Sequence, residues 1–197
     1  MQPFTERQIE IMEAATQRID AHGIQTLTIK NLAADLGLSE PALYRHFENK
    51  NAILLGLLNY FSAEMVARLA DVRSLSYGSS AEELRAVFDS QLRAFTAKPS
   101  VVSVIFAENI FHYDKRLSAK VADIMDVMQG HVTDNIKTGQ AAGEYSKLLS
   151  PATLTTIVVG SMRLAVLKWK VSGNRANLVK DGRTVLDGVL KMLSTNN

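Results

Sequence analysis

Between residues 28 and 50 the chain reads TIKNLAADLGLSEPALYRHFENK, and no other stretch limits its possible folds so tightly. Thr28 can cap a helix by accepting from a first-turn N–H. Leu32 and Leu36 then face a core, and Ala33 is small enough for a close helix crossing. Gly37 falls just past the helix end, where a left-handed backbone is least costly for glycine. Ser39 caps the next helix, and Pro41 lies in its first turn, where a missing N–H costs nothing. Leu38 and Leu43 have the spacing of a hydrophobic staple. Two short helices around a tight corner follow from this punctuation, a helix-turn-helix.

Helical periodicity extends over nearly the whole chain. Ile9, Met12, Ala15 and Ile19 keep the three-to-four step, closed by Gly23. Leu54, Leu57, Leu58, Phe61, Met65 and Leu69 repeat it over a longer span. No period-2 run makes a strand; LTI at 27–29 comes nearest and runs straight into a helix start. Breaks at GIQTLT, GLS, SLSYGSS, AKPS, GQAAGEYSKLLSP and SGN divide the chain. The predicted helices are 5–22, 28–36, 39–47, 49–73, 80–97, 99–112, 115–139, 150–172 and 175–194. The fold class is therefore all-α. A compact three-helix head (1–48) is expected to join, through a connector helix starting near Asn49, a larger helical body (49–197).

With 197 residues, 47% hydrophobic and 21% charged, the chain has the composition of a soluble globular protein. It contains no cysteine, which excludes disulfides and thiolate zinc sites. The start, MQPFTERQIEIME, has no apolar run of the kind a signal peptide needs. Leu154 to Val171 is the most apolar stretch, but Ser161, Arg163 and Lys168 interrupt it, so no membrane span is expected. These features point to a cytoplasmic protein. The net charge of +2 is too small to imply a polyanionic partner. Residues 1–50 carry five basic side chains (Arg7, Arg18, Lys30, Arg45, Lys50) against seven acidic ones. A nucleic-acid role for the head must rest on where its cations point.

With Leu43 and Phe47 turned inward, the second helix of the corner presents Glu40, Pro41, Ala42, Tyr44 and Arg45. Its N-terminal end is small enough to enter a major groove, while Tyr44 and His46 reach towards phosphates. Lys50 opens the next helix, where a cation and free N–H groups together can hold a phosphate. Periodicity alone leaves the corner open between packing geometry and DNA docking.

The string T-I-K-N-L-A-x-x-L-G-L-S-x-x-x-L-Y-R-H-F-x-N-K-x-x-I-L closely resembles the DNA-binding signature of TetR-family transcriptional regulators. IMEAA in the preceding helix, with a glycine after it, agrees. The resemblance covers about a quarter of the chain. It implies a homodimer whose two heads dock on a palindromic double-stranded operator and are released or retained by a small-molecule effector held in the body. Carried over by position, Thr28 and Lys30 match residues at the DNA backbone or nearby bases. Ser39, Glu40, Pro41 and Ala42 match the groove-entering turn. Tyr44, His46 and Lys50 match phosphate contacts, with Arg45 a base or phosphate reader. Glu40 is the least typical: a carboxylate there accepts from a cytosine amino group or orients Arg45.

Beyond residue 50 the resemblance supplies only a plan. Candidate effector-lining residues are Phe61, Met65, Phe88, Leu92, Phe95, Phe106, Phe111, Met125, Met128, His131 and Met162. Bulky, adaptable walls of this kind suit an apolar or aromatic ligand. The last two helices offer a dimer contact. One stripe is Leu178, Gly182, Val185, Leu186, Val189, Leu190 and Leu193; the other is Ile157, Gly160, Leu164 and Val171. Across a two-fold axis these would form a four-helix interface, the alternative being a core within one chain. No catalytic constellation emerges: the histidines at 22, 46, 112 and 131 are scattered, and HExxH, GxxxxGK[ST] and GxGxxG are absent. No enzyme activity, cofactor or metal is expected. The competing class is an all-helical lipid carrier or protein-interaction module whose corner is purely structural.

Overall fold

The computed structural model describes residues 4–106 and 114–195. Among them are nine α-helices and no strand: α1 (Glu6–His22), α2 (Ile29–Asp35), α3 (Glu40–Tyr44), α4 (Lys50–Ser74), α5 (Ser80–Ala97), α6 (Pro99–Ile105), α7 (Lys115–Ala141), α8 (Pro151–Val171) and α9 (Leu178–Leu193). A short 3₁₀ turn, Ile24–Thr26, leads from α1 towards α2. The all-α expectation holds. LTI at 27–29 does run into a helix start, and the predicted helix 39–47 is shorter than expected. Its end winds into a tight turn in which the His46 N–H donates to the Leu43 carbonyl at 3.0 Å. Of the predicted helix 99–112, the residues after Phe106 lie outside those described.

The chain divides into two compact units. The first is Met1–Ser62 with Lys98–Ala122; the second is Ala63–Ala97 with Asp123–Asn197. In the first, α1 packs on α2 and α6, and α2 on α3. Ile11, Met12, Ala15 and Ile19 of α1 meet a core shared by Leu27, Leu32, Leu43 and Phe47. Asp114, before α7, accepts from the Asn51 amide at 3.2 Å and from the Arg116 backbone N–H at 2.9 Å. Hydrogen bonds from Arg116 hold its carboxyl below the usual range.

In the second unit α9 packs along both α5 and α8. Gly182 lets Leu92 approach so closely that a Cβ there would sit 2.5 Å from Leu92 Cδ1. Two ion pairs flank the seam, Arg85 with Asp187 at 2.7 Å and Arg183 with Asp89. Thr133 of α7 and Thr155 of α8 join their hydroxyls at 2.8 Å.

By length and composition α4, not the 154–171 stretch, is the described helix apolar enough to cross a membrane. Its apolar residues Ile53, Leu54, Leu58, Phe61 and Met65 are nevertheless buried in the protein, as in a core helix.

Candidate nucleic-acid interface

The corner is built by local signals acting in sequence. The Thr28 hydroxyl accepts from the Asn31 N–H at 3.1 Å, and the Asn31 amide in turn donates to the Thr26 carbonyl at 2.9 Å. Leu32 and Ala33 are buried, whereas Leu36, expected inside, is half-buried at the helix end. Gly37 adopts φ 63°, the left-handed region. The Leu38 N–H then closes the corner on the Ala33 carbonyl at 2.8 Å. The Ser39 hydroxyl caps α3 through the Ala42 N–H at 3.3 Å, and Pro41 sits in the first turn. Asn49 caps α4, its side-chain oxygen accepting from the Ala52 N–H at 3.0 Å.

Behind this corner α1 fixes both ends. Arg18 grips Asp35 at the end of α2 with two hydrogen bonds, one of 2.8 Å, and holds that carboxyl below its usual range. Gln8 completes a capping box with Thr5 and also donates from Nε2 to the His46 carbonyl at 3.2 Å. Sequence reading did not single out Gln8, although Thr5-x-x-Gln8 is a recognisable capping signature.

Leu43 and Phe47 anchor the second helix inward. Thr28, Lys30, Ser39, Glu40, Pro41, Arg45 and Lys50 are exposed, Ala42 and His46 half-buried, and Tyr44 is 50% exposed. Half of Tyr44 is thus left in water, with its hydroxyl free to meet a group outside the chain. Lys50 is exposed at the first residue of α4.

The candidate effector residues fall in both units. Phe61 and Phe106 belong to the first; Met65, Phe88, Leu92, Phe95, Met125, Met128, His131 and Met162 belong to the second. Phe111 lies outside the described residues. Leu92 is a core contact against Gly182. His131 faces away from the apolar stripe, towards Glu83, whose Oε1 lies 3.7 Å from its Nε2. Burial pushes its imidazole below the ordinary histidine value.

The dimer stripe on α9 needs correcting. Leu178, Gly182, Leu186, Val189, Leu190 and Leu193 are buried within the chain's own second unit, where α9 meets α5 and α8. They cannot also meet a second protomer. The outward residues of α9 are Val185, Gly188 and Met192, and those of α8 are Ile157, Gly160, Leu164, Leu167 and Val171. Val171 is 80% and Met192 68% exposed. Both outward sets step by three and four residues, the spacing of a helix–helix seam.

Three short N-terminal helices with a capped helix-turn-helix, on a chain with a second helical unit, define the class of helix-turn-helix proteins. Residues 11–57 match the family model for "Bacterial regulatory proteins, tetR family". Over those residues, which carry the helix-turn-helix, the chain is similar to the TetR family of transcriptional regulators. Among relatives, it is 21% identical over 153 residues to a "Nucleoid occlusion factor SlmA" of Idiomarina loihiensis, covering 78% of each chain. Among solved structures, the fatty acid degradation regulator FadR from Bacillus halodurans superposes with a TM-score of 0.81. That match has 17% identity and covers 94% of this chain and 95% of that one. The regulator AibR, solved with isovaleryl coenzyme A and operator DNA, gives a TM-score of 0.74 at 20% identity, over 96% and 98% of the two chains. At such identities the structures share the fold. The match of the head to a DNA-binding family sets aside a purely structural corner.

Proposed function

We propose that this chain is a homodimeric repressor that binds a palindromic operator and is released by a small apolar effector. The observation that carries the DNA reading is the outward face of α3: capped, anchored by Leu43 and Phe47, and presenting Tyr44 half in solvent. In this reading Ser39, Glu40, Pro41 and Ala42 enter the major groove, and Arg45 reads a base or phosphate. Thr28, Lys30, Tyr44, His46 and Lys50 hold the backbone. The head at 1–48 and the effector and dimer body at 49–197 are the functional division we propose. The protein works by binding and not by catalysis, in the cytoplasm where its DNA is.

The dimer forms across the outward seams of α8 and α9, through Ile157, Gly160, Leu164, Val171 and Val185. Gly160 and Gly188 have open space where a Cβ would stand, which supports close helix approach. The effector lies among the phenylalanine and methionine side chains of the second unit, Met65, Phe88, Phe95, Met125, Met128 and Met162. AibR is described with an acyl-coenzyme A thioester bound and FadR as a regulator of fatty acid degradation, which supports acyl thioesters as the first ligands to test.

A mobility shift with DNA from upstream of this chain's own gene tests the reading. Tyr44→Ala and Lys50→Ala weaken binding on every sequence, each by about 1 kcal/mol. Changes at Pro41, Ala42 or Arg45 alter sequence preference by about 1–3 kcal/mol per base pair. Unchanged affinity in both Tyr44→Ala and Lys50→Ala proteins would sink the docking. Acyl thioesters of increasing chain length release the DNA in order of apolar length; release by free coenzyme A as efficient as by its acyl thioesters would overturn an apolar effector.

A further inference from the structure

The second unit holds a cleft of about 360 Å³ that the regulator reading does not use. The turn after α4, the start of α5 and the C-terminal half of α7 enclose it. Its lining is polar, unlike a pocket for an acyl chain.

Three polar groups on its wall lack partners. Asn135 is 3% exposed; its Nδ2 donates to the Ser80 carbonyl and to Glu83 Oε2, both at 3.0 Å, and its Oδ1 meets nothing. The His131 side chain is 8% exposed, and its Nε2 makes no hydrogen bond, Glu83 Oε1 standing 3.7 Å off. The Tyr77 hydroxyl is shielded from solvent and also unpaired. Buried polar atoms without partners are uncommon, because each forfeits its hydration. Three on one wall point to something that supplies the missing bonds.

Charge says what kind of group this is. Glu83, Asp134 and Glu144 line the cleft against a single Arg73, whose guanidinium lies 3.6 Å from Asp134. Glu144 is already occupied, accepting from the Ser80 N–H at 2.8 Å and hydroxyl at 3.2 Å. Glu83 Oε1 is the carboxylate oxygen left facing His131. Burial disfavours the charged form of that imidazole, which makes it a poor counter-ion for Glu83. The site is acidic and offers mainly acceptors, which disfavours anions. Among the described residues no group of three or more histidines and carboxylates is placed to hold a metal ion.

We propose that this cleft binds a small organic cation bearing several N–H donors, an amine or a guanidinium compound. Glu83 is its counter-ion; Asn135 Oδ1 and Tyr77 Oη, shielded in the free chain, become its further acceptors as side chains of the lining shift on binding. The site is separate from the apolar effector reading and does not rest on it.

Agmatine and putrescine, titrated into the full chain at constant ionic strength, test the proposal by calorimetry and by the imidazole NMR signal of His131. That signal is assigned by its loss in His131→Gln. Saturable binding of one molecule per chain is expected, with a dissociation constant of about 1 mM or tighter. Glu83→Gln weakens it at least about tenfold, the loss of a charge-assisted contact. Tyr77→Phe weakens it a few-fold while leaving the unfolding midpoint of the free protein unchanged or higher, because that hydroxyl has no partner to lose. Glu10→Gln, on α1 in the first unit, leaves it unchanged. A linear response shared with sodium chloride would show a water-filled cleft only and overturn the proposal. So would saturable binding that Glu83→Gln leaves intact.

Discussion

A methyl group added at Gly139 would arrive 2.3 Å from Cδ2 of Tyr145 and 3.1 Å from Cβ of Ser80. Tyr145 is itself buried, so its ring has nowhere to retreat. Gly139→Ala should cost about 1–3 kcal/mol through overpacking, even after the gain in helix propensity. Gly160→Ala meets open space and should gain about 0.5–1 kcal/mol for the isolated protomer. Urea unfolding of the two variants measures the contrast. Arg18 and Asp35 belong to the same scale. The Asp35 carboxyl is held low in the folded head, so its contribution exists above the unfolded value of about 3.9 and fades as pH falls through the folded value. Arg18→Gln should therefore lower stability at neutral pH, and the gap to the parent protein should close below about pH 4. A gap that persists in strong acid would mean Arg18 acts through packing.

At the scale of elements, α9 separates two roles that its sequence blends. Leu186 and Val185 are neighbours, yet one is buried against α5 and α8 and the other faces out. Leu186→Ala should cost about 2–5 kcal/mol in unfolding. Val185→Glu should leave the fold intact and turn the dimer into monomers in sedimentation; a folded dimer there would remove α9 from the interface. The corner was legible because caps, a left-handed glycine and a first-turn proline are local signals, read within a few residues. The facing of α9 was not, because a helix with apolar residues on two sides has the same period whether its partner is in the chain or in another copy. The length of α3 was overread for a related reason: Arg45 and His46 continue the helical pattern, but the backbone tightens beneath them. The polar cleft was invisible in sequence, since Tyr77, Glu83, His131 and Asn135 meet only through the fold.

For the whole molecule, α4 is the element to watch, since one continuous helix contributes Lys50 to Ser62 to one unit and Ala63 to Ser74 to the other. No glycine–serine linker interrupts it. If effector binding releases DNA by changing the spacing of the heads, their separation must leave the value of about 34–36 Å that successive major grooves require. The chain has no cysteine of its own, so Glu48→Cys provides a single labelling position beside the corner. Spin-label distances across the dimer should shift when an acyl thioester is added. Identical distributions with and without it would refute release by spacing. The ligand acts only through tighter binding to the released arrangement.

The side-chain amide of Gln8 has two ends with opposite duties. Its oxygen accepts from the Thr5 N–H at 3.0 Å, while its nitrogen reaches the carbonyl of His46. Gln8→Glu is a one-atom edit that keeps the first end and reverses the second, so that a carboxylate oxygen faces a carbonyl oxygen across the gap. Helix start and recognition-helix placement, joined in one residue, come apart at that atom. A strain carrying this edit should lose more grip on DNA than its loss of folding stability accounts for, a defect of aim added to one of strength.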